Sequence, residues 1–351
     1  MSEPTHCNLV LRFALRLGPN FLVSAALVST CKLVHYYGMS NGMNMKRPQI
    51  FRWLSSLIFA TSTTFLNFAF SAELLQHTVE VEGHPMTLWE KRAPKPKGTI
   101  LLLHGRTWSA LPDFDLQVAG ENLSFMDGLT EKGYTVYALD GRGYGGTPRD
   151  HTGWLTPDRA ARDAAAILSW IQSRNKDASH LFGWSYGSMV AQLVVQRFPD
   201  LVSSITLFGY PYYRDRFASA ARLEYPAKAP AKANTALNAA SDFITPGSIT
   251  DAAITAYVKA ALSADPVRVD FKDLHQWQAL DPTKISTPLL LIQAEFDPLA
   301  PTERQGYFFQ AVATSNKWWV SLPDGDHAAL LETPRNKMLA VLDNFITSLD
   351  Y

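Results

Sequence analysis

The chain has 351 residues, of which 47% are hydrophobic and 18% are charged, enough to bury the core of one large domain. Its 32 basic and 32 acidic residues balance. Because the chain has no excess of positive charge, its composition gives no argument for a nucleic acid partner.

The N-terminal residues predict a leader ahead of the folded domain. Basic residues after Met45 precede an uncharged run from Trp53 to Ala72, which ends in small residues that suit signal peptidase. We therefore expect a signal peptide over 45–72 and a periplasmic or secreted protein. Residues 1–44 are a doubtful leader, and we expect translation to start at Met45. An uncleaved membrane anchor is the alternative, because about 20 apolar residues span a bilayer. Cleavage would remove both cysteines and leave no disulfide.

Strand-like and helix-like segments alternate through the rest of the chain. Residues 74–90 predict a hairpin that turns at Gly83, and runs typical of buried strands follow at 99–103 and 134–139. The glycine run 141–146 lacks the complete dinucleotide pattern, so no nucleotide cofactor is predicted. The nine histidines show no His-x-x-x-His spacing and there is no Cys-x-x-Cys pair, so no metal site is predicted.

A serine between two glycines, Gly183-Trp184-Ser185-Tyr186-Gly187, follows the strand-like run 179–182 and precedes a segment with helical spacing. A serine hydroxyl is a poor nucleophile unless a strained, exposed turn holds it beside a base. The flanking glycines let neighbouring backbone approach such a turn. Ser185 is therefore the candidate nucleophile, and an ordinary Gly/Ser turn is the structural alternative.

An irregular stretch interrupts the alternation between about residues 210 and 285. It contains an Ala/Lys/Pro segment, a Pro-Gly break and a predicted helix over 248–262. We interpret this stretch as a small, mainly helical cap insertion. Its aromatic residues either line a substrate pocket or pack the insertion itself. They are Tyr210, Tyr212, Tyr213, Phe217, Phe243 and Trp277.

Two later strand-like runs end in loops that carry the acid and the base expected for Ser185. Residues 288–293 lead to Asp297, and residues 317–321 lead to His327. The chain order of serine, acid and histidine matches what a strand-turn-helix nucleophile requires. Three rival acids lie in the same loops. They are Glu295, Asp324 and Asp326. Position in the loop favours Asp297 over Glu295 on its own strand, and the two beside His327 more often cap or solvate such a turn than reach the imidazole.

From about residue 77 onward, these motifs resemble the α/β-hydrolase superfamily, in particular serine esterase-like and lipase-like members with a cap insertion. The resemblance implies an α/β fold over 73–351, with a mostly parallel, doubly wound sheet flanked by helices. Ser185 argues against the dehalogenases and epoxide hydrolases of this fold, which use an aspartate nucleophile. Arg106-Thr107-Trp108 stands where the family's proline-specific peptidases carry Gly-Pro-Gly, and this disfavours that subgroup.

The resemblance also assigns backbone donors, because the strand 99–103 with His104-Gly105-Arg106 looks like the family's oxyanion loop. It points to the amides of Arg106 and Tyr186 as the oxyanion hole. Trp108 and Trp184 lie near these points and either shape the acyl pocket or pack in the core. His104 is expected to support the loop.

Together these features predict a serine hydrolase that cleaves a small-molecule carboxylic ester through an acyl-enzyme, with no cofactor. Acyl transfer or hydrolysis of another acyl or carbon–carbon bond on the same triad is the alternative. A non-catalytic binding protein of this fold is a third class, because the fold alone does not choose the chemistry.

Overall fold

The structure, a computed structural model, describes residues 72–211 and 224–350. An eight-stranded sheet runs through this part of the chain in the order β1-β2-β4-β3-β5-β6-β7-β8. Its strands are β1 (Leu75–Val81), β2 (His84–Arg92), β3 (Gly98–Leu103), β4 (Tyr134–Leu139), β5 (Ser179–Trp184), β6 (Val202–Phe208), β7 (Leu289–Ala294) and β8 (Lys317–Leu322). Strand β2 pairs antiparallel with both of its neighbours, and the other pairs are parallel. The mostly parallel sheet and the opening hairpin are as predicted.

Helices flank the sheet, and several one-turn elements connect them. The α-helices are α1 (Ala110–Phe114), α2 (Phe125–Glu131), α3 (Pro157–Asn175), α4 (Tyr186–Arg197), α5 (Ala236–Ala240), α6 (Asp251–Ala264), α7 (Thr302–Ala311) and α8 (Arg335–Thr347). Short 3-10 turns lie at Pro199–Leu201, Leu274–Ala279, Pro282–Lys284 and Ser348–Asp350. Within the described ranges, no helix combines the length and the apolar character needed to cross a membrane.

The sheet is buried on both faces, which explains why its central strands read as continuous apolar runs. In β3, Ile100 and Leu102 pack in one core cluster, and Leu101 and Leu103 pack in the other. Helices α2 and α8 cover the first face, and α3 and α4 cover the second. The side chains of the central strands therefore pack against an apolar layer on either face, whereas the edge strands β1 and β8 are partly exposed.

Local sequence signals account for the ends of the longest helix, α3. The hydroxyl of Thr156 accepts a hydrogen bond from the N–H of Arg159 at 3.2 Å, and Pro157 occupies the first helical position. The helix ends at Lys176, which adopts the left-handed conformation with φ of 70°. Helix α3 is thus the crossover between β4 and β5, and Ser185 follows directly after β5.

The chain between β6 and β7 forms an insertion, and residues 212–223 of it lie outside the described part. Its two-residue strands are Lys232–Ala233, paired antiparallel with Val267–Arg268, and Asp270–Phe271, paired parallel with Trp154–Leu155. The insertion also contains α5 and α6. The helix predicted over 248–262 begins later, at Asp251, because the Thr250 hydroxyl caps it by accepting from the N–H of Ala253 at 3.1 Å. The predicted leader 1–44 and all of the predicted signal segment except Ala72 lie outside the described residues.

Candidate active site

Ser185 occupies a strained turn between β5 and α4. Its backbone has φ of 54° and ψ of −116°, a conformation that non-glycine residues rarely adopt. Its N–H donates to the carbonyl of Phe208 at the end of β6 at 2.9 Å. A Cβ on Gly187 would overlap the carbonyl oxygen of Leu103. The glycine after the serine is therefore required by close backbone packing and is not an ordinary turn residue.

The acid and the base predicted from the sequence are in contact. Nδ1 of His327 lies 2.8 Å from Oδ2 of Asp297, and both side chains are buried. The other carboxylate oxygen of Asp297 accepts the N–H groups of Leu299 at 2.8 Å and Ala300 at 3.3 Å. These two backbone bonds fix the carboxylate, and the carboxylate in turn orients the imidazole.

Two residues next to Ser185 in space connect it to His327. The indole N–H of Trp184 donates to the carbonyl of His327 at 2.7 Å, and the two rings lie 5.7 Å apart. Gly209 directly follows Phe208, whose carbonyl accepts the hydrogen bond from Ser185. A Cβ on Gly209 would lie 2.9 Å from Cε1 of His327. The turn of Ser185 and the imidazole of His327 therefore share the same small region at the carboxyl end of the sheet.

Residues 104–109 join β3 to α1 beside this region, and we call them, with the first helical residue Ala110, the His104 loop. The imidazole of His104 bonds the carbonyl of Gly105 through Nδ1 at 2.7 Å and accepts from the N–H of Gly141 through Nε2 at 3.1 Å. Burial lowers the pKa of His104 to about 4, so its imidazole is neutral at physiological pH. The hydroxyl of Tyr144 donates to the carbonyl of Arg106. His104 thus supports the loop as a structural residue.

Of the four predicted pocket residues, Trp184 contacts the imidazole of His327. The indole of Trp108 donates to Asp242 of the insertion at 2.9 Å. Both rings are buried. Tyr210 and Trp277 are buried in the core cluster on the α4 side, where Trp277 packs 5.8 Å from the ring of Tyr186. Contact of any of these four rings with a substrate remains a prediction.

The rival acids have other partners. Glu295 accepts the N–H of Asp324 at 3.1 Å at the surface. Asp326 accepts the N–H groups of Ile244 at 2.9 Å and Thr245 at 2.5 Å with one oxygen, and that of Ala328 at 3.0 Å with the other. It therefore ties the insertion to the His327 loop, while Asp297 alone among these acids is bonded to the imidazole.

The sequence did not point to several residues that shape the site. Gly209 was not singled out, although a glycine directly after a buried strand is a usable signal of close approach. Asp113, Asp242 and Asp265 were also missed, because nothing local marks a lone aspartate as a partner of a distant loop. No group of three or more His, Cys, Asp or Glu side chains within 72–211 and 224–350 is arranged to hold a metal ion.

Comparisons with known proteins identify the family of the chain. A family model described as serine aminopeptidase, S33, matches residues 94–334. Serine hydrolase BPHL from Mus musculus is 27% identical over 151 residues, which cover 41% of this chain and 46% of the mouse protein. The human protein of the same name is 27% identical over 146 residues with the same coverage. The alignments thus span about half the length of these relatives.

Solved structures share the fold. A serine hydrolase involved in carbazole degradation (CarC) has a TM-score of 0.55 and 18% identity, covering 78% of this chain and 99% of that one. The 2-hydroxy-6-oxo-6-phenylhexa-2,4-dienoate hydrolase of Rhodococcus sp. strain RHA1 has a TM-score of 0.56 and 16% identity, covering 79% and 100%. At such identities the likeness concerns the fold. The mouse and human relatives are both named as serine hydrolases. Because the family model spans most of the domain, the chain belongs to the S33 family of α/β-hydrolases.

Proposed function

We propose that the protein is a carboxylesterase that cleaves a small-molecule ester through an acyl-enzyme on Ser185. The observation that carries the proposal is the bond of 2.8 Å between His327 and Asp297, next to a serine in a strained turn. Nucleophilic acyl transfer needs a serine, a base and a group that orients the base. Membership in the serine hydrolase-containing family supports the same class of reaction.

The proposed first step is attack of the Ser185 hydroxyl on the ester carbon. Because Nδ1–H of His327 donates to Asp297, the tautomer leaves Nε2 free to take the serine proton and pass it to the leaving alcohol. The negative charge on the former carbonyl oxygen would be stabilised by the N–H groups of Arg106 and Tyr186. Each such donor contributes about 3 kcal/mol to lowering the barrier. Water activated by His327 then hydrolyses the acyl-enzyme.

The experiment is hydrolysis of nitrophenyl esters of increasing acyl length by the full-length protein, with Ser185→Ala and the surface control Ser203→Ala. We expect turnover by the wild type and by the control, and a loss on the order of 10⁶-fold in Ser185→Ala. Ester hydrolysis that persists in Ser185→Ala would contradict the proposal. An aminoacyl nitroanilide and added alcohol or amine acceptors extend the assay, since they report amide cleavage and acyl transfer by the same serine.

We also propose that the protein is exported to the periplasm or secreted, on the strength of the sequence features of residues 45–72. N-terminal sequencing of the protein from its native host would show a mature start near Glu73. Retention of the segment in a membrane fraction would favour the anchored alternative.

A further inference from the structure

Aspartate carboxylates hold the His104 loop through three backbone N–H groups and one indole N–H. Four donors of the loop each meet an aspartate from a different part of the chain. The pairs are Gly105 N to Asp113 Oδ2 at 3.2 Å, Trp108 Nε1 to Asp242 Oδ2 at 2.9 Å, Ser109 N to Asp265 Oδ2 at 2.8 Å, and Ala110 N to Asp140 Oδ1 at 2.9 Å. The loop therefore takes its shape from side chains outside it.

These carboxylates are costly groups to place in the interior. Asp113, Asp140 and Asp265 are at most 3% exposed, and Asp242 is half-buried. Among the residues described, no Lys or Arg forms an ion pair with any of the four. Burial raises the pKa of Asp140 and of Asp242 to about 6. Buried carboxylates without a cation persist where hydrogen-bond donors compensate them. Here the His104 loop supplies one donor to each carboxylate, and further donors come from Trp89, Gly145, Gly146 and Tyr257.

Two of the four aspartates belong to the insertion and not to the sheet domain. Asp265 directly follows α6, and Asp242 follows α5. We propose that Asp265 and Asp242 are positioning residues for acyl transfer, through which the insertion sets the geometry of the oxyanion donor Arg106. This inference rests on the proposed function of the site. The insertion then shapes the chemistry of the site.

Asp265 carries the stronger part of this role because it bridges two loops. One carboxylate oxygen accepts from Ser109 and the other accepts from the N–H of Gly145 at 2.9 Å, in the glycine-rich turn after β4. Asp265 is itself held, since Asn234 donates its side-chain amide to the Asp265 carbonyl at 2.8 Å. Movement of α6 would therefore pull on the backbone three residues from Arg106.

The test is Asp265→Asn. The amide oxygen can accept from only one of the N–H groups of Ser109 and Gly145, and the amide NH₂ group then faces the other N–H group. Asp242→Asn removes the negative charge that the indole of Trp108 contacts. This second variant tests the inference if Asp265→Asn does not fold. Glu121→Gln is the matched control. The Glu121 carboxylate accepts from Thr250 of the insertion at 2.7 Å, so it joins the insertion to the sheet domain without touching the His104 loop.

Full-length variants are titrated with a fluorophosphonate to count competent sites, and ester hydrolysis is then measured per site. We expect kcat to fall about 10- to 100-fold in Asp265→Asn with KM changed less than about threefold, because the lost interaction exists only in the transition state. Phosphonylation of Ser185 slows by a similar factor. Both quantities stay near wild type in Glu121→Gln.

The inference is overturned if per-site kcat and phosphonylation in both Asp265→Asn and Asp242→Asn equal those of the control, or if only KM rises. A wild type that hydrolyses no ester but is phosphonylated refutes the proposed function alone, and the phosphonylation rates then decide the inference. A wild type that does neither refutes both.

Discussion

Replacing Gly209 with alanine is expected to disable the triad with little loss of folding. Gly209 has φ of +57°, and a Cβ there would lie 2.9 Å from Cε1 and 3.0 Å from Nδ1 of His327. Carbon atoms pack at about 3.5–4.0 Å, so the imidazole must move by roughly 0.6–1 Å. A misplacement of about 1 Å of a catalytic group costs on the order of 100-fold in rate. We therefore expect kcat for a nitrophenyl ester to fall about 100-fold in Gly209→Ala.

The same substitution also carries a backbone cost, which a second glycine isolates. An alanine in the left-handed region loses about 1–2 kcal/mol of unfolding free energy. Gly247 has φ of +79° and nothing within 4 Å of an added Cβ, so Gly247→Ala has the backbone cost without the clash. Urea unfolding should show similar destabilisation of both variants, while only Gly209→Ala loses activity. Equal kcat values in the two variants would show that a Cβ at position 209 does not displace the imidazole of His327.

Further predictions concern the acid of the triad, the pH dependence of stability and the core. Asp297→Asn should reduce kcat on the order of 10³- to 10⁴-fold, whereas Glu295→Gln should change it little, and the reverse ranking in ester assays would move the acid assignment. Burial raises the pKa of Glu332 to about 7 from its ordinary value of 4.5. The folded state thus binds the proton of the Glu332 carboxyl group more tightly than the unfolded chain does. The stability that this proton contributes is complete below about pH 4.5 and is lost as the pH rises through 7. The melting temperature of Glu332→Gln should therefore depend less on pH between 4.5 and 7 than that of wild type, and an unchanged slope would contradict this. Lys91 is buried and bonds two aspartates at 2.6 and 2.7 Å, so Lys91→Met should lower the unfolding free energy by about 3–5 kcal/mol in urea, and a loss under 1 kcal/mol would contradict it.

The sequence predicted those parts of the fold that periodic burial determines. The strands before Ser185 and Asp297 were visible because strands buried on both faces are nearly continuous apolar runs, as in Leu289–Ala294. The edge strand before His327, Lys317–Leu322, is only partly buried and was visible from its aromatic and β-branched residues. The shared parallel direction of the three strands was enough to bring the loops after them to one edge of the sheet.

The contacts that shape the site were not predictable, because they join residues far apart in the chain. Asp265 meets Ser109 across 156 positions, and Asp326 meets Ile244 across 82. Neither pair has a local pattern, and both depend on how the insertion packs against the sheet. The start of α6 was misplaced for a related reason. Ser248 looks like a helix cap, but its hydroxyl bonds Glu332 at 2.7 Å and Thr250 caps the helix instead.

Covalent labelling tests the role of Ser185 as nucleophile without knowledge of the substrate. Full-length wild type, Ser185→Ala and His327→Ala are treated with a fluorophosphonate, and the adduct is mapped by peptide mass spectrometry. We predict one adduct, on the peptide that contains Ser185, which is absent in Ser185→Ala and forms far more slowly in His327→Ala. An adduct on another residue, or none on folded wild type, would contradict this role of Ser185.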